Sequence, residues 1–410
     1  MEEITNIKIS ELCSKVCSGG TPKSSVPSYY DGNIPWLNTK EINFNRIYST
    51  EKSITEDGLN NSSAKWIDKN AVIVAMYGAT AGKTAISKIP LTTNQACCNL
   101  MIDADKADYR FVYYALVSEY NRLASLANGG AQQNLNAQQI KDFEIPFFSL
   151  KDQKRIANIL STLDDKIELN RRINDNLEQQ AQTLFKSWLV DFDPFKNGKF
   201  VESEMGMIPE GWKVISLQEY CQEITRGNIP TYVEKSNRPI LNQKVNKGVS
   251  LEKQYYKYNS ENVEVSISKM AHYGDVLLNS LGQGTLGRVH LYKEKLGNVI
   301  IDQFITILRT NLFVKSAYLS YTLNRPEYQT IIEGNVTGST GMWVLTINNV
   351  RNIKIIVPKE SCFLELAPII NSIYQAISNN TAEMEQLCTL RDCILPHLMS
   401  GELKINDLNC

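Results

Sequence analysis

Long hydrophobic runs and a basic leader are both missing from this 410-residue sequence. No apolar run approaches the roughly 18 residues that a membrane-spanning helix needs. The chain begins Met-Glu-Glu-Ile, which is acidic where a secretory signal is basic. We therefore expect a protein that does not cross a membrane and that works in the cytoplasm.

Histidine is scarce, and the cysteines are scattered. The sequence has three histidines and nine cysteines, and no two cysteines have the C-x-x-C spacing of zinc and redox sites. An odd and irregular set of cysteines argues against a disulfide framework. We expect reduced thiols that pack as small hydrophobic side chains, and we predict no metal site.

Catalytic motifs are also lacking. Gly78–Thr84 resembles a phosphate-binding P-loop, but it has three residues between its glycines where the P-loop has four. Asp392, Glu402 and Lys404 fit a loose nuclease pattern that often arises by chance. There is no dinucleotide-binding fingerprint and no Asn/Asp-Pro-Pro-aromatic motif of amino-methyltransferases. The sequence predicts a binding protein that holds no cofactor of its own.

The net charge of −1 hides a local excess of positive charge. Residues 211–360 carry 18 basic and 12 acidic side chains. A basic segment in a neutral chain is compatible with contact to nucleic acid, but also with an ordinary solvated surface. Charge alone does not decide between these two interpretations.

The most regular feature is an apolar seam between Ile156 and Trp188, in which the seam residues are separated by alternating steps of 4 and 3 residues. This repeat is typical of one face of a coiled coil. The seam positions are Ile156, Leu160, Leu163, Ile167, Asn170, Asn174, Leu177, Ala181, Leu184 and Trp188.

The same pattern recurs 210 residues later, between Leu366 and Leu398. Arg391 is its charged exception and requires a carboxylate or a partner subunit. Asn170 and Asn380 occupy the same seam position in the two copies, where a buried amide penalises a slipped register. We predict that the two helices pair with each other within one chain.

A segment of mixed secondary structure precedes each helix. Short strands are predicted at 34–37 and 71–76, and one helix at 109–127. Polar glycine loops at 128–134 and 334–341 lie shortly before the two long helices. The prediction is an α+β fold: two α/β domains in a pseudo-two-fold tandem repeat, each followed by a long helix, with the helices paired as an antiparallel coiled coil.

The predicted boundaries divide the chain into six parts. They are a first domain at 1–150, a first long helix at 151–192, a linker at 193–210, a second domain at 211–360, a second long helix at 361–400 and a C-terminal tail at 401–410.

Several short motifs, taken in order along the whole chain, resemble the specificity (S) subunits of type I restriction–modification systems. The supporting stretches are Gly19–Lys23, Gly32–Trp36, Ile145–Pro146, Asp152–Ala157, Leu184–Phe192, Ile208–Trp212 and Leu395–Leu403. One departure is that Phe363 stands where the first helix has Gln153. Any family role of that glutamine is therefore in doubt in the second half.

The resemblance implies that each α/β domain is a target-recognition domain for one half of a split, asymmetric site in double-stranded DNA. The helices would act as a spacer and as a docking frame for two methyltransferase (M) subunits, with restriction (R) subunits added. It also implies that S-adenosylmethionine binds the M subunits, and that adenine methylation and DNA cleavage belong to the complex.

Candidate DNA contacts follow from residue chemistry. Polar residues in the glycine loops can donate to and accept from base edges, and basic residues near turns can contact phosphates. The candidates for base contacts are Gln132, Gln133, Asn134, Ser339 and Thr340. The candidates for phosphate contacts are Lys40, Lys83, Lys244 and Arg288.

One alternative function stays open at this point. Paired modules on long helices also suit a non-enzymatic scaffold that binds protein or glycan partners. Such a scaffold would show no salt-dependent affinity for DNA.

Overall fold

The computed structural model describes residues 5–127, 134–282, 284–294, 297–338 and 343–403. The chain divides into two compact units. The first contains Met1–Ile167 and Gln386–Cys410, and the second contains Glu168–Glu385. Both units mix helices and strands, so the predicted α+β class is confirmed.

The first unit contains strands β1 to β11 and helices α1 to α4. The strands are β1 (Thr5–Lys8), β2 (Cys13–Ser18), β3 (Tyr30–Leu37), β4 (Asn45–Ile47), β5 (Lys52–Ile54), β6 (Trp66–Ile67), β7 (Val72–Ala75), β8 (Thr84–Ser87), β9 (Leu91–Thr93), β10 (Cys97–Ile102) and β11 (Glu144–Phe147). The helices are α1 (Glu56–Asn60), α2 (Tyr109–Ser118), α3 (Tyr120–Ser125) and α4 (Ala137–Asp142). A long helix, α5 (Leu150–Leu189), begins in this unit and ends in the second.

Two sheets form the body of the first unit. One has the strand order β2-β10-β7-β8-β4 and the other has the order β5-β3-β9-β6. Most neighbours are antiparallel, but β3 runs parallel to β9, and β4 runs parallel to β8. Every residue of β7 and β8 is buried, which explains why these strands are continuous apolar or small-residue runs instead of alternating ones.

The second unit continues the numbering. Its strands are β12 (Phe200–Ser203), β13 (Gly206–Pro209), β14 (Lys213–Ser216), β15 (Glu223–Arg226), β16 (Tyr232–Val233), β17 (Pro239–Leu241), β18 (Lys257–Asn259), β19 (Val276–Asn279), β20 (Val289–Leu291), β21 (Ile300–Ile301), β22 (Ile305–Arg309) and β23 (Lys354–Val357). Its helices are α6 (Leu217–Tyr220), α7 (Phe313–Leu323), α8 (Pro326–Gly334) and α9 (Ile347–Asn352), and the second long helix is α10 (Glu360–Met399).

The second unit has the same kind of sheet arrangement. One sheet has the order β15-β22-β19-β20, and the other has the order β16-β18-β17-β21. Strands β17 and β21 are parallel, like β3 and β9 in the first unit. In each unit, therefore, one sheet contains a parallel pair whose carboxyl ends lie side by side.

The core of the first unit packs α2 against the sheet and against the two long helices. Phe111 of α2, Ile156 and Leu160 of α5, and Leu398 of α10 belong to the same buried cluster. The helix predicted at 109–127 is interrupted at Glu119, where the backbone leaves the helical conformation. The single-helix prediction was therefore wrong, and α2 and α3 are separate.

A carboxylate accounts for the charged seam residue Arg391. Its guanidinium donates to Asp164 Oδ1 at 2.8 Å, and Tyr114 donates its hydroxyl to Asp164 Oδ2 at 2.6 Å. Burial disfavours the charged guanidinium, but the hydrogen bond and negative charge of Asp164 outweigh it and raise the pKa of Arg391. Of the two possibilities for Arg391, the first unit itself supplies the carboxylate.

Amides join the helices in the second unit. Asn380 donates to Asn174 Oδ1 at 2.9 Å, and Asn170 donates to Glu383 Oε2 at 2.7 Å. Farther along α5, Glu178 accepts a hydrogen bond of 2.9 Å from the Tyr374 hydroxyl. Residues later in α5 contact residues earlier in α10. Asn170 and Asn380 therefore each contact a different residue and do not contact each other.

Residues 193–210, predicted to be a linker, are folded. Strands β12 and β13 form a hairpin, and Trp212 packs edge-on against Phe192 and Phe195, with ring centroids 5.2 and 5.4 Å apart. Ile208 is buried in the core of the second unit. These aromatic contacts bury a segment whose proline, glycine and acidic residues suggested an open connection.

Gln153 and Phe363 serve different packing roles near the starts of the two long helices. Gln153 is fully buried, accepts a hydrogen bond from the Asp108 backbone N–H and donates to Phe148 O. Phe363 is fully buried too, but it packs edge-on against Tyr318. The glutamine is thus a local structural residue of the first unit.

The described residues bear on two predictions, namely that the cysteines are reduced thiols and that no helix crosses a membrane. Among these residues, Cys97 and Cys98 have free thiols and pack in buried clusters. Burial raises the pKa of Cys98 to about 12. No helix in these segments combines the length and apolarity needed to cross a membrane.

We predict that Asp164→Ala destabilises the chain by about 2 kcal/mol or more, because it leaves the half-buried Arg391 and the Tyr114 hydroxyl without their acceptor. Asp392→Ala is the matched control. Asp392 also pairs with Arg391 but is exposed, so its loss should cost less than about 0.5 kcal/mol. Urea unfolding of both variants measures the difference, and equal losses would contradict the assigned role of Asp164.

Candidate nucleic-acid interface

Several loops of the first unit meet at the carboxyl ends of β3 and β9. Asn94, directly after β9, donates its backbone N–H to Leu37 O at the end of β3 (3.0 Å). Met76 follows β7, donates to Ala96 O and accepts from the N–H of Leu135, both at 2.8 Å. These bonds gather four segments, which we call the first loop edge: residues 37–43, 76–83, 94–96 and 134–135.

The second unit builds the equivalent arrangement. Asp302 donates its backbone N–H to Leu241 O (3.0 Å). Ser280 donates to Phe304 O and accepts from the N–H of Leu345, both at 2.9 Å. We call this set the second loop edge: residues 241–247, 280–282, 284–288, 302–304 and 343–345.

Glycines close the turn in each loop edge. In the first, Gly82 donates to Ala75 O and Ala75 donates to Lys83 O, at 2.8 and 2.9 Å. Gly78 and Gly82 have φ values of 70° and 84°, in the left-handed region that favours glycine. A strand follows Lys83, whereas a helix follows a P-loop, so this turn is a hairpin connection.

Lys83 and Arg288 hold their turns against the preceding loop. Lys83 Nζ donates to Asn43 Oδ1 at 2.7 Å. The Arg288 guanidinium donates to Asn246 O at 3.3 Å and to Gly284 O at 3.0 Å. Each side chain therefore has an internal structural contact, and its contact with a phosphate remains a prediction.

Lys40 and Lys244 differ in whether a carboxylate of the described residues pairs with their positive charge. Lys40 Nζ lies 2.5 Å from a Glu51 carboxylate oxygen, and the hydrogen bond and charge of Glu51 raise the pKa of Lys40. Lys244 is exposed, and no ion pair is recorded for it among the described residues. Lys244 is thus the more available cation for an external anion.

Buried amides fix the second loop edge. Asn246 donates to Asn279 Oδ1 at 3.0 Å and accepts from the Gly248 N–H at 2.8 Å. Asn279 in turn donates to Gln243 O and Thr285 O, at 3.1 and 3.0 Å. Both amides are fully buried, where an unmade hydrogen bond is costly. This network joins the loop that carries Lys244 to the hairpin turn.

Close packing requires glycine at both Gly19 and Gly20. An added Cβ on Gly19 would lie 2.1 Å from Thr93 O, and one on Gly20 would lie 2.2 Å from the Ala64 nitrogen. Trp36 Nε1 donates to Gly20 O at 2.9 Å. No larger residue fits between these backbone segments, so Gly19 and Gly20 are structural residues of the first domain.

The two loop edges differ chemically where β9 and β21 end. Asn94 stands after β9, and Asp302 stands after β21. Burial raises the pKa of Asp302, although its carboxylate accepts hydrogen bonds from the Phe304 N–H and the Tyr232 hydroxyl. Both side chains are buried, and Asn94 accepts from the Ala96 N–H, so equivalent positions make different internal hydrogen bonds in the two units.

The predicted base-contacting residues are only partly within the described segments. Asn134 is exposed and forms a bridge with Tyr77 in the first loop edge. Gln132, Gln133, Ser339 and Thr340 lie outside the described residues.

Comparisons with known proteins agree with this geometry. The family described as the type I restriction modification DNA specificity domain matches residues 1–179. The MjaIX specificity subunit of Methanocaldococcus jannaschii is 29% identical, with coverage of 98% of this chain and 94% of that protein. The HindI specificity subunit of Haemophilus influenzae is 22% identical, with coverage of 90% and 94%.

The chain is thus similar to specificity subunits of type I restriction–modification systems along nearly its whole length. The fold agrees with this similarity. The crystal structure of a type I S subunit from M. genitalium matches 97% of both chains with a TM-score of 0.56 and 19% sequence identity.

The described part of this chain offers no group of three or more His, Cys, Asp or Glu side chains that could hold a metal ion. The loop edges instead contain amides, hydroxyl groups and a few cations. These groups suit recognition by hydrogen bonds and charge more than they suit bond-breaking chemistry.

The sequence pattern did not identify the residues that hold the loop edges together. Asn43, Asn246 and Asn279 were not singled out. A usable pattern was present, because Leu37-Asn38-Thr39-Lys40 and Leu241-Asn242-Gln243-Lys244 share leucine, asparagine and lysine at the same spacing. This short repeat marks the loop that each asparagine ties to its turn.

We expect Asn246→Ala to destabilise the second unit by about 1–3 kcal/mol, because it leaves buried groups of Asn279 and Gly248 without partners. Asn262→Ala is the control, since the Asn262 side chain is exposed, and its effect should stay within about 0.5 kcal/mol. Urea unfolding measures both. A cost for Asn246→Ala no larger than the control would show that the network does not stabilise the loop edge.

Proposed function

We propose that this chain is the DNA-recognition subunit of a type I restriction–modification complex and that it recognises a bipartite, asymmetric DNA site. Each unit would recognise one half-site through its loop edge. The observation that carries this proposal is that both units build a loop edge at the carboxyl ends of a parallel strand pair but present different side chains on it.

The half-sites should differ because the loop edges differ. A turn with Tyr77 and Lys83 in one unit corresponds to a turn with Leu281 and Arg288 in the other. A protein distinguishes base pairs by the donors and acceptors that it presents to the grooves. Two unlike sets of side chains therefore favour two unlike half-sites.

The proposal treats the two domains as a tandem repeat, with α5 and α10 paired as an antiparallel coiled coil. The contacts of Asp164 with Arg391 in the first unit support this pairing, as do those of Asn174 with Asn380 in the second. Buried polar residues at seam positions disfavour shifted registers. Helices paired in this way would act as the spacer that sets the unrecognised gap.

The partners in this proposal are double-stranded DNA, two M subunits and R subunits. S-adenosylmethionine would bind the M subunits, which would carry out adenine methylation, and this chain would contribute recognition without catalysis. Since the substrate is cellular DNA, the proposal places the complex in the cytoplasm.

The decisive experiment is to co-express this chain with its methyltransferase subunit and to map modified adenines across the genome of the host. The expected result is one motif split by a gap of fixed length, with two different halves. If every available methyltransferase partner gives no motif, the non-enzymatic scaffold for protein or glycan partners becomes the better explanation.

Helix length should control the gap. Inserting one heptad in both α5 and α10, at matching seam positions, lengthens the pair by about 10 Å, which corresponds to about three base pairs of B-DNA. Methylation mapping should show a longer gap between unchanged half-sites. Altered half-sites with the original gap would contradict the spacer role.

Lys244→Ala tests the proposed phosphate contacts. We expect weaker binding of the assembled complex to all DNA sequences and a salt dependence reduced by about 0.9 in the log–log slope, because one phosphate contact is lost. Lys83→Ala should have the smaller effect on affinity, since Lys83 already donates to Asn43. Affinity titrations at several salt concentrations measure both, and an unchanged slope for Lys244→Ala removes it from the interface.

A further inference from the structure

Each loop edge carries one exposed aromatic side chain at the same structural junction. In the first unit, Tyr77 pairs with Asn134 in an isolated bridge that joins the hairpin turn to the end of the polar loop. In the second, Leu281 and Val344 form the equivalent bridge, and Trp343 directly precedes Val344. The aromatic residue therefore comes from the turn in one unit and from the loop exit in the other.

These two side chains differ from Tyr232 and Tyr273, which are also exposed aromatic residues. Tyr77 is 44% exposed and Trp343 is 53% exposed. Among the described residues, no hydrogen bond, ring contact or cation contact is recorded for either side chain. By contrast, Lys257 lies over the ring of Tyr232, and Tyr273 stacks on Phe313.

Hydrogen bonds fix the backbone of a residue adjacent to each aromatic residue. Met76, directly before Tyr77, makes the two bonds to Ala96 and Leu135 that assemble the first loop edge. Val344, directly after Trp343, exchanges two bonds with Thr337 at 2.8 and 2.9 Å. Little backbone freedom remains to be lost when these rings contact a ligand, which favours binding.

The charges around the rings indicate what covers them. Lys83 ends the turn that begins beside Tyr77, Arg288 ends the equivalent turn in the second unit, and Lys244 is exposed on the second loop edge. An apolar ring among cations and polar loop residues is complementary to a polyanion that also has apolar faces. DNA has this combination, with phosphates on its strands and flat bases between them.

We propose that Tyr77 and Trp343 are specificity-determining residues, each making an apolar ring contact with a base in the half-site of its own unit. This inference rests on the proposed function. A ring can contact the apolar surface of a base in two places, the thymine methyl group or the face of an unstacked base. Both contacts select sequence without a hydrogen bond.

The test uses the full chain assembled with its methyltransferase subunits and a duplex that contains its mapped methylation motif. Tyr77→Ala and Trp343→Ala should each weaken binding to this duplex by about tenfold to a hundredfold, as expected for loss of a base–aromatic contact. Binding to a duplex with a scrambled motif should not change. Methylation mapping should show relaxed base preference only in the half-site of the altered unit.

Conservative variants separate a ring contact from a change in folding. Tyr77→Phe and Trp343→Phe keep an aromatic ring and should retain most of the affinity, whereas Tyr77→Leu and Trp343→Leu should not. Tyr48→Ala is the matched control in the first unit. Tyr48 is 43% exposed and follows β4, beside the end of β8 that is farther from the turn. Tyr273→Ala, before β19, is its counterpart in the second unit.

Two modified duplexes distinguish the kinds of contact. Replacing one thymine by uracil removes only the methyl group, so a methyl contact predicts an affinity loss that the Ala variant does not show. A 2-aminopurine in the half-site becomes more fluorescent when it is unstacked, so a stacking contact predicts an increase with the unaltered chain and none with the Ala variant.

Unchanged specific affinity in Tyr77→Ala and Trp343→Ala would overturn the inference, as would losses matched by the two controls. Equal losses on target and scrambled duplexes would also overturn it, because they would mean that the rings do not select sequence. Failure of the proposed function is a different result, namely the absence of any split motif in the methylation map.

Discussion

Polar side chains that are buried or partly buried along α5 and α10 fix which residues of the two helices meet. In the first unit, Asp164 accepts hydrogen bonds from both Arg391 and Tyr114. In the second, Asn174 accepts from Asn380, and Glu383 accepts from Asn170. A shift along the helices would leave these groups unpaired at a cost that apolar contacts alone would not impose. Each core includes residues of both helices, so the packing of each domain depends on this register.

The loop edges show how a rigid domain can present a variable surface. The carboxyl ends of a parallel strand pair are joined by backbone hydrogen bonds, which do not depend on side-chain identity. The side chains between those bonds are then free to differ, as Asn94 and Asp302 do at equivalent positions. Each unit thus joins a similar backbone frame at its parallel strand pair to unlike side chains.

Several basic residues have a structural contact in addition to the predicted role in DNA binding. Lys83 and Arg288 tie the hairpin turn to the preceding loop, and Glu51 neutralises Lys40. Lys244 has no such contact within the described segments. A sequence pattern of lysines near turns cannot separate these cases, because the partners Asn43, Asn246 and Glu51 are distant along the chain or lie in another loop. The sequence pattern also did not identify the exposed rings of Tyr77 and Trp343, because hydrophobic residues are expected to be buried.

The sequence by itself determined the resemblance to specificity subunits, the two long helices and the α+β class. These features depend on local periodicity and on short motifs in a fixed order, which are visible without a structure. The tertiary structure alone decided which asparagines pair in the seam, that residues 193–210 fold onto the second unit, that Gln153 is a packing residue and that the loops converge at one edge. Those outcomes depend on hydrogen bonds and ring contacts between residues far apart in sequence, and their partners become identifiable only when the strands and helices are assembled.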